Sequence, residues 1–286
     1  MENQNNIGSK LNRKASPVLF AILAALFFGL NAPFSKLLVR QIDPLFLAAL
    51  LYLGAGAGML VVQLVRDRRV TEIREARLSR QELPYIVLMI LLDIAAPVSL
   101  MLGISLTNAS TASLLGNFEI AATTFFALVL FREAVGKRLW LAISLIFIAS
   151  ILLSFNDLSS VQLSMGAMLV LLSCLLWGIE NNLTRKLSIK DPLQVVILKG
   201  FGSGSGALLI VLIWGSFKAA FGYVLLALLL GFVAYGASIY FYVKAQRSLG
   251  ASRTSAYYAA APFIGVLLSF IILREPISMI FLAALV

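Results

Sequence analysis

Most of this chain consists of apolar runs about 20 residues long, separated by short polar joints. A helix of roughly 20 apolar residues crosses the hydrocarbon core of a bilayer, where only helices and closed barrels satisfy every backbone group. The composition agrees, since 60% of the 286 residues are hydrophobic and 13% are charged, against about 45–50% and 25% in soluble domains. We therefore predict an all-α polytopic membrane protein with ten transmembrane helices. The predicted spans are 18–39, 44–65, 84–104, 109–131, 138–155, 164–184, 193–214, 221–244, 254–273 and a tenth from Pro276.

The first and last runs need separate interpretation. The run 18–39 has the length of a signal peptide, but it has a counterpart in the second half of the chain, which a removable leader lacks. The run from Pro276 to Val286 forms only about 16 Å of helix, or half a bilayer. We expect this tenth span to be truncated by about 11 residues and to leave a groove beside the fifth span or a neighbouring span, and a longer chain to be more stable.

An internal repeat relates the two halves of the chain. The segment 102–133 returns at 244–275, so that the joint 108–113 aligns with 250–255. The charged pair Arg132-Glu133, which ends the fourth apolar run, aligns in the same register with Arg274-Glu275. Self-similarity of this kind indicates two copies of one structural unit. Glu119 breaks the correspondence, because its counterpart is Ala261.

The starts of the two halves match as well. Residues 28–31 (Phe-Gly-Leu-Asn) align with 177–180 (Trp-Gly-Ile-Glu), and the glycine-rich stretch 54–58 aligns with 202–206. Such glycines let helices pack closely in lipid. Each half holds five spans, and because five is odd the second half enters the membrane from the opposite side. We predict inverted five-helix repeats, the sequence mark of secondary transporters. The predicted divisions are 1–16, a disordered basic tail, then the repeats 17–155 and 156–286.

The basic residues fix a predicted orientation. Eighteen Lys and Arg side chains lie in the N-terminal tail and in alternate joints on one side, four lie on the other side, and Lys199 alone lies inside a span. The positive-inside rule then puts the N-terminus in the cytoplasm of a cell (inner or plasma) membrane. The net charge of +10 follows from these joints, so we expect no nucleic-acid partner.

The residue types present in the chain exclude most common enzyme mechanisms. The chain has no histidine and one cysteine, Cys174, which excludes Ser-His and Cys-His nucleophile pairs and histidine-based zinc sites. An intramembrane aspartyl protease needs two interior aspartates, and only Asp93 qualifies. An intramembrane enzyme is therefore the weaker alternative to a carrier, and we expect no catalytic residues, no cofactor and no metal.

Two five-span halves, each opening on a [Phe/Trp]-Gly helix and closing on a [Phe/Leu]-Arg-Glu stop, resemble the EamA-type transporters of the drug/metabolite transporter superfamily. The resemblance covers about 17–286. It implies a ten-helix carrier of amino acids, metabolites or drugs, most often an exporter. It also implies a central cavity built by spans 1, 3, 4, 6, 8 and 9.

Charged and amide groups at membrane depth are the first candidate site residues, because a polar group there is costly and usually faces a cavity or another polar group. Glu119 and Asp93 lie near the centres of spans 4 and 3. Glu180 lies toward the end of span 6, where its side chain can also reach water, and Asn31 is its repeat partner. Lys199, in a span not expected at the cavity wall, either binds solute or forms an ion pair with Glu119 or Asp93.

Polar and aromatic stripes give the remaining candidates. Asn117 belongs to a second polar face of span 4, and Tyr235, Ser238 and Tyr258 lie on regular helical faces of spans 8 and 9. These tyrosines either form an aromatic wall for an amphipathic solute or anchor span ends at the interface.

Together these features predict a transporter of small amphipathic solutes that works by alternating access. Glu119 or Asp93 can carry a proton in exchange for solute, and a facilitator without coupling fits equally well. The solute, the direction of flux and the oligomeric state stay open, with a monomer as one reading.

Overall fold

The computed structural model describes residues 17–69, 76–131, 136–153, 155–157 and 162–285. The predicted basic tail, 1–16, and the stop Arg132-Glu133 lie outside the described residues. The helices are α1 (17–28 and Asn31–Leu38), α2 (Pro44–Arg69), α3 (Leu83–Leu106), α4 (Ala109–Leu115 and Phe118–Phe131), α5 (Lys137–Leu153), α6 (Met165–Leu187), α7 (Pro192–Trp214), α8 (Phe221–Leu249), α9 (Ala251–Tyr258 and Ala260–Leu273) and α10 (Met279–Leu285). A 3-10 turn, Arg80–Glu82, precedes α3, and the short antiparallel strands β1 (Phe155–Asp157) and β2 (Gln162–Leu163) lie between α5 and α6.

Eight of these helices, α1–α4 and α6–α9, are long and apolar enough to cross a membrane, and α5 is a shorter apolar helix. The prediction of an all-α polytopic membrane protein is therefore confirmed, while the count of ten spans stays a prediction. The boundary between spans 8 and 9 was wrong: α8 runs to Leu249 and α9 begins at Ala251. Gly250 joins them as a one-residue turn, since its φ of 78° suits a residue without a Cβ.

The surface and the interior have the polarity expected in lipid. Large apolar side chains are exposed along the helices, among them Trp214 and Phe221 at about three-quarters of their full area. The charged side chains of Asp93, Glu180 and Lys199 are buried. The apolar side chains cover an outer surface that faces hydrocarbon, whereas the buried charges lie in a polar interior.

Helices α2 and α7 cross at glycines. A Cβ on Gly200 would overlap the backbone of Gly56, and a Cβ on Gly204 would lie 2.8 Å from a side-chain carbon of Leu53. Helix α8 packs as closely on the other side of α2, because a Cβ on Gly231 would overlap the carbonyl of Leu51. The glycines therefore allow backbone contact between neighbouring helices, as predicted for this membrane fold.

Three helices are interrupted within their length. The breaks in α1 (29–30) and α9 (259) come just before Pro33 and Pro262, each of which lacks the amide proton that would bond the carbonyl four residues earlier. The break in α4 (116–117) is a tightened turn, in which Glu119 N–H donates to the carbonyl of Gly116 at 3.1 Å. All three breaks border the same interior cavity.

Charged side chains join helices at both ends of the bundle. At one end, which we call the basic face, Arg66 binds Asp191 through two bonds of 2.6 and 3.1 Å, and Lys190 lies 3.1 Å from Glu82. This face holds the joints rich in Lys and Arg, and Arg247 donates there to the carbonyls of Ser188 and Lys190. These contacts connect α2, α3, α7 and α8.

At the other end, the opposite face, two charges hold the joint between α3 and α4. The ammonium of Lys36 lies 2.6 Å from the carbonyl oxygen of Ile104 and 2.5 Å from that of Thr107. Glu275 accepts from the first two amides of α4, those of Ala109 and Ser110, at 2.7 and 2.8 Å. A cation therefore binds the carboxyl end of α3 and an anion binds the amino end of α4, as the helix dipoles favour. We call this arrangement the Lys36–Glu275 latch.

Candidate functional site

The interior contains two adjoining chambers. The first chamber lies at the three helix breaks and is lined by α1, α3, α4, α6 and α9. The second chamber is lined by α1, α2, α4 and α6–α9. Phe28, Glu119, Trp177 and Tyr258 line both chambers. The chambers are therefore two halves of one cavity, with Glu119 at their boundary.

Aromatic rings form the wall between the chambers. Phe28 lies at its centre, with ring centroids 5.9 Å from Trp177, 5.7 Å from Tyr235 and 5.6 Å from Tyr258. Tyr242 continues the group, 5.0 Å from Tyr258. Tyr235 lies in a π-helical turn of α8, 231–237, a local irregularity that is frequent at functional sites. We call Phe28, Trp177, Tyr235 and Tyr258 the aromatic partition.

Glu119 presents a carboxylate to both chambers. It follows the break in α4 directly and is partly exposed to the cavity. The side-chain amide of Asn181, on α6, donates to its Oε1 at 2.7 Å and to the hydroxyl of Thr123 at 3.1 Å. Within the described part of the chain no Lys or Arg forms an ion pair with it. An ionised carboxylate without a cationic partner is costly in this setting.

A second set of charges forms a buried triad beside the second chamber. The ammonium of Lys199 lies 2.9 Å from Glu180 Oε1 and 3.2 Å from Asp93 Oδ2. Each of these three side chains is at most 4% exposed. The triad connects α3, α6 and α7 through charge-assisted hydrogen bonds, which are stronger than neutral ones.

Neutral side chains complete the hydrogen bonding of the triad. Asp93 Oδ1 accepts from the hydroxyl of Tyr52 at 2.8 Å and from the indole nitrogen of Trp177 at 3.3 Å. The hydroxyl of Thr184 donates to Glu180. Trp177, Glu180, Asn181 and Thr184 lie three or four positions apart, so one face of α6 serves both the triad and Glu119.

The comparisons with known proteins decide the family. A family model described as "EamA-like transporter family" matches residues 15–155 and 164–286. This chain belongs to the EamA-like transporter family. An "Uncharacterized transporter" of Methanothermobacter thermautotrophicus (strain Delta H) is 28% identical over 273 residues, which cover 90% of this chain and 79% of that protein. A solved structure titled "Crystal structure of protein" superposes with a TM-score of 0.71 at 16% identity, over 94% of this chain and 92% of that one, and shows that the fold is shared.

The transporter contains most of the predicted site residues in its cavity. Asn31 lines the first chamber, and Glu180, Tyr235 and Ser238 line the second. Asn31 accepts from Ser35 at 2.9 Å, and Ser238 donates to the carbonyl of Ala24 at 2.8 Å. Whether these residues bind solute stays a prediction.

Two predicted residues lie elsewhere. Asp93 is fully buried behind Tyr52 and Lys199 and lines neither chamber. Asn117 turns away from the centre and lines a separate cavity of about 280 Å³ between α4, α5, α9 and α10. Asn117 and Glu119 are two positions apart, which is about 200° around an α-helix, so they lie on different faces.

The predictions for Lys199 and Glu180 need correction. Lys199 lines the second chamber, so span 7 does reach the cavity wall. It pairs with Asp93, one of the two acids we considered, and with Glu180, which we did not. Glu180 is 1% exposed, so its side chain does not reach toward water at the helix end.

Tyr235 and Tyr258 of the aromatic partition were predicted from the sequence, whereas Phe28, Trp177 and the donors around the acids were not. Phe28 and Trp177 are aligned repeat partners, and this was an available signal, because residues on a symmetry axis contact their own counterparts. Tyr52, Asn181 and Thr184 gave no such signal. Their partners come together only when the helices pack, so no local pattern in the sequence identifies them.

The cavity limits what can bind without rearrangement. Each chamber has a volume of about 40 Å³, room for about three water molecules. Among the described residues no group of three or more Cys, Asp or Glu side chains can hold a metal ion. A solute of several heavy atoms therefore needs the aromatic partition to move, after which the two chambers form one space.

Proposed function

We propose that this transporter exports small amphipathic solutes that carry an amino or other cationic group, such as amino acids or drugs. The observation that carries the proposal is the carboxylate of Glu119, which faces both chambers without an ion-pair partner in the described chain, next to the aromatic partition. Aromatic faces attract cations as well as apolar groups, so the carboxylate and the rings together fit an aromatic or alkyl ammonium ion.

The proposal is tested in proteoliposomes with two probes that share a ring and differ in charge. Benzyltrimethylammonium is a permanent cation and benzenesulfonate a permanent anion, and we expect flux of the cation at least about tenfold faster, because a charge-assisted contact contributes about 1.5–3 kcal/mol. Liposomes without protein give the background. Equal rates for the two probes, or no flux above background, would contradict the proposal.

The mechanism we propose is alternating access between two inverted repeats, 17–155 and 156–286. Three observations support it. The repeat partners Phe28 and Trp177 meet at the centre, and the partner helices α2 and α7 cross at Gly56 and Gly200. The breaks in α4 and α9 fall at aligned positions, and interrupted helices around a central site are typical of such carriers. Movement of one repeat against the other would open the two faces in turn.

The charge distribution supports an orientation. The basic face carries the joints rich in Lys and Arg, so we place that face and the N-terminus in the cytoplasm of an inner or plasma membrane. The opposite face is then the external one. There the Lys36–Glu275 latch holds α1, α3, α4 and the segment after α9 together, which keeps the first chamber closed on that side.

Loosening the latch should expose the first chamber to the outside. Lys36→Gln removes the cation that binds the end of α3. Loss of one charge-assisted contact is expected to raise the population open on that face about tenfold. Cys174, the only cysteine of the chain, lines the first chamber and is 2% exposed. Its labelling by a membrane-impermeant methanethiosulfonate reagent, applied to intact cells, measures this opening.

The matched control for this experiment is Lys218→Gln, which removes an exposed lysine predicted on the same side. It should leave the labelling rate of Cys174 unchanged. Equal labelling in the Lys36 variant and in the unmodified protein would show that the latch does not control external access.

A further inference from the structure

We infer that the buried triad of Asp93, Glu180 and Lys199 is a proton-binding site, separate from Glu119, that couples transport to a proton gradient. The charges of the triad do not balance. Two carboxylates and one ammonium carry a net charge of −1, and all three side chains are at most 4% exposed. No other Lys or Arg among the described residues pairs with either carboxylate. A net charge in this setting is costly, and one bound proton removes it.

The geometry favours a proton over a metal cation. Lys199 occupies the space between the two carboxylates at 2.9 and 3.2 Å, which leaves no room for the shell of oxygen ligands that a metal ion needs. A proton needs only one carboxylate oxygen. Apart from its contact with Lys199, Oδ2 of Asp93 has no hydrogen-bond partner among the described residues.

The path of the proton follows from the position of each acid. Glu180 lines the second chamber, whereas Asp93 does not, so the triad meets water in the chamber on the side of Glu180. With one carboxylate protonated, Lys199 neutralises the other. Release of the proton to water restores both ion pairs. No bond other than that of the transferred proton forms or breaks.

The site is placed to exchange a proton for a cationic solute. Asn181, which binds Glu119, follows Glu180 directly on α6, and Glu119 and Glu180 line the same chamber. A cation at Glu119 and a proton on the triad repel each other in an environment of low dielectric constant. Each therefore weakens binding of the other, and this linkage is reciprocal. This exchange step, unlike proton binding itself, rests on the proposed cationic solute.

Proton binding can be measured without a solute. The titratable groups that line the second chamber with the triad are Tyr52 on α2, Glu119 on α4, Tyr235 and Tyr242 on α8, and Tyr258 on α9. Between about pH 5 and about pH 9 these tyrosines stay protonated, and the infrared carbonyl band of a protonated carboxylic acid reports carboxyl groups alone. We therefore use Glu119→Gln as the reference protein, since among the described residues it removes the only carboxyl group outside the triad that lines either chamber.

The measurement is an infrared pH titration of the protein in lipid, which follows the carbonyl stretch of a protonated carboxylic acid. In the reference protein we expect one such band to disappear as the pH rises through this range. Addition of Asp93→Asn or of Glu180→Gln leaves one carboxylate and one ammonium, which need no proton. The band should be absent in both double variants. Two independent variants are used so that a folding defect in one leaves the other decisive.

Two results would overturn the inference: a reference protein with no titrating band, or a band that persists in a folded double variant. A second measurement concerns the exchange. Binding of benzyltrimethylammonium to the unmodified protein in weak buffer should release protons, and Glu180→Gln should bind the cation with at least tenfold less release. Undiminished release from Glu180→Gln would locate the proton at Glu119. Failure of the cation to bind would contradict the proposed solute while leaving the infrared result standing.

Discussion

Replacement of Glu119 by Gln is expected to abolish most transport of a cationic solute and to leave the protein folded. The amide has nearly the shape of the carboxylate, and its oxygen can still accept the bond from Asn181. What is lost is the negative charge that attracts the solute. Because a hydrogen bond to a charged group contributes about 1.5–3 kcal/mol, we expect a loss of about 10- to 100-fold in the rate at low solute concentration. Flux of benzyltrimethylammonium into proteoliposomes measures it.

The control is Asp67→Asn, which removes an acid that is 56% exposed at its side chain and distant from both chambers. It changes the net charge of the protein by the same amount. Wild-type flux in the Asp67 variant and reduced flux in the Glu119 variant would assign the effect to the cavity. Wild-type flux in a correctly folded Glu119 variant would show that Glu119 does not bind the solute. The tyrosines of the aromatic partition would then be the remaining candidate contacts.

Replacement of Lys199 by Met should have the largest effect on stability. The change leaves two carboxylates in the bundle without a cation, and removal of one partner from a buried ion pair costs about 3–5 kcal/mol. For a chain of this size we expect the melting temperature in detergent to fall on the order of 10 °C. Thermal unfolding followed by far-ultraviolet circular dichroism measures the change.

Second substitutions then test which acids Lys199 holds. Asp93→Asn or Glu180→Gln, added to Lys199→Met, should each recover part of the loss, since each removes one of the unpaired charges. The triple variant should recover most of it. Glu119→Gln should recover none, because Glu119 is not paired with Lys199. Equal recovery from all three acid substitutions would mean a general effect of charge on the bundle and would contradict the specific triad.

The two charge systems of the cavity explain why this membrane interior is so polar. The triad is nearly closed to water, and Lys199 neutralises one of its two carboxylates. Glu119 instead stays open to the chambers. A stable carrier needs paired charges at helix contacts, and a site for a cationic solute needs a charge that is left unpaired until the solute arrives.

The sequence alone determined the helical membrane fold and most of its boundaries. The physical reason is that lipid imposes one requirement on every span: about 20 apolar residues with all backbone groups bonded internally. The requirement is local, so it can be recognised without knowledge of the partners of a helix. For the same reason the interior acids and Lys199 stood out, since a charge inside an apolar run is costly wherever that run packs.

The tertiary structure decided which of these groups meet. Lys199 had three acids within its reach by depth, and only the packing of α3 against both α6 and α7 brings it to Asp93 and Glu180. The break in α4 was invisible in the apolar pattern, yet Gly116 at the break lines the first chamber beside Glu119, while Asn117 faces a separate cavity. Depth in the membrane follows from position along one helix. Contact depends on the rotation of several helices about their axes, and these rotations are set by distant partners such as Gly56 and Gly200.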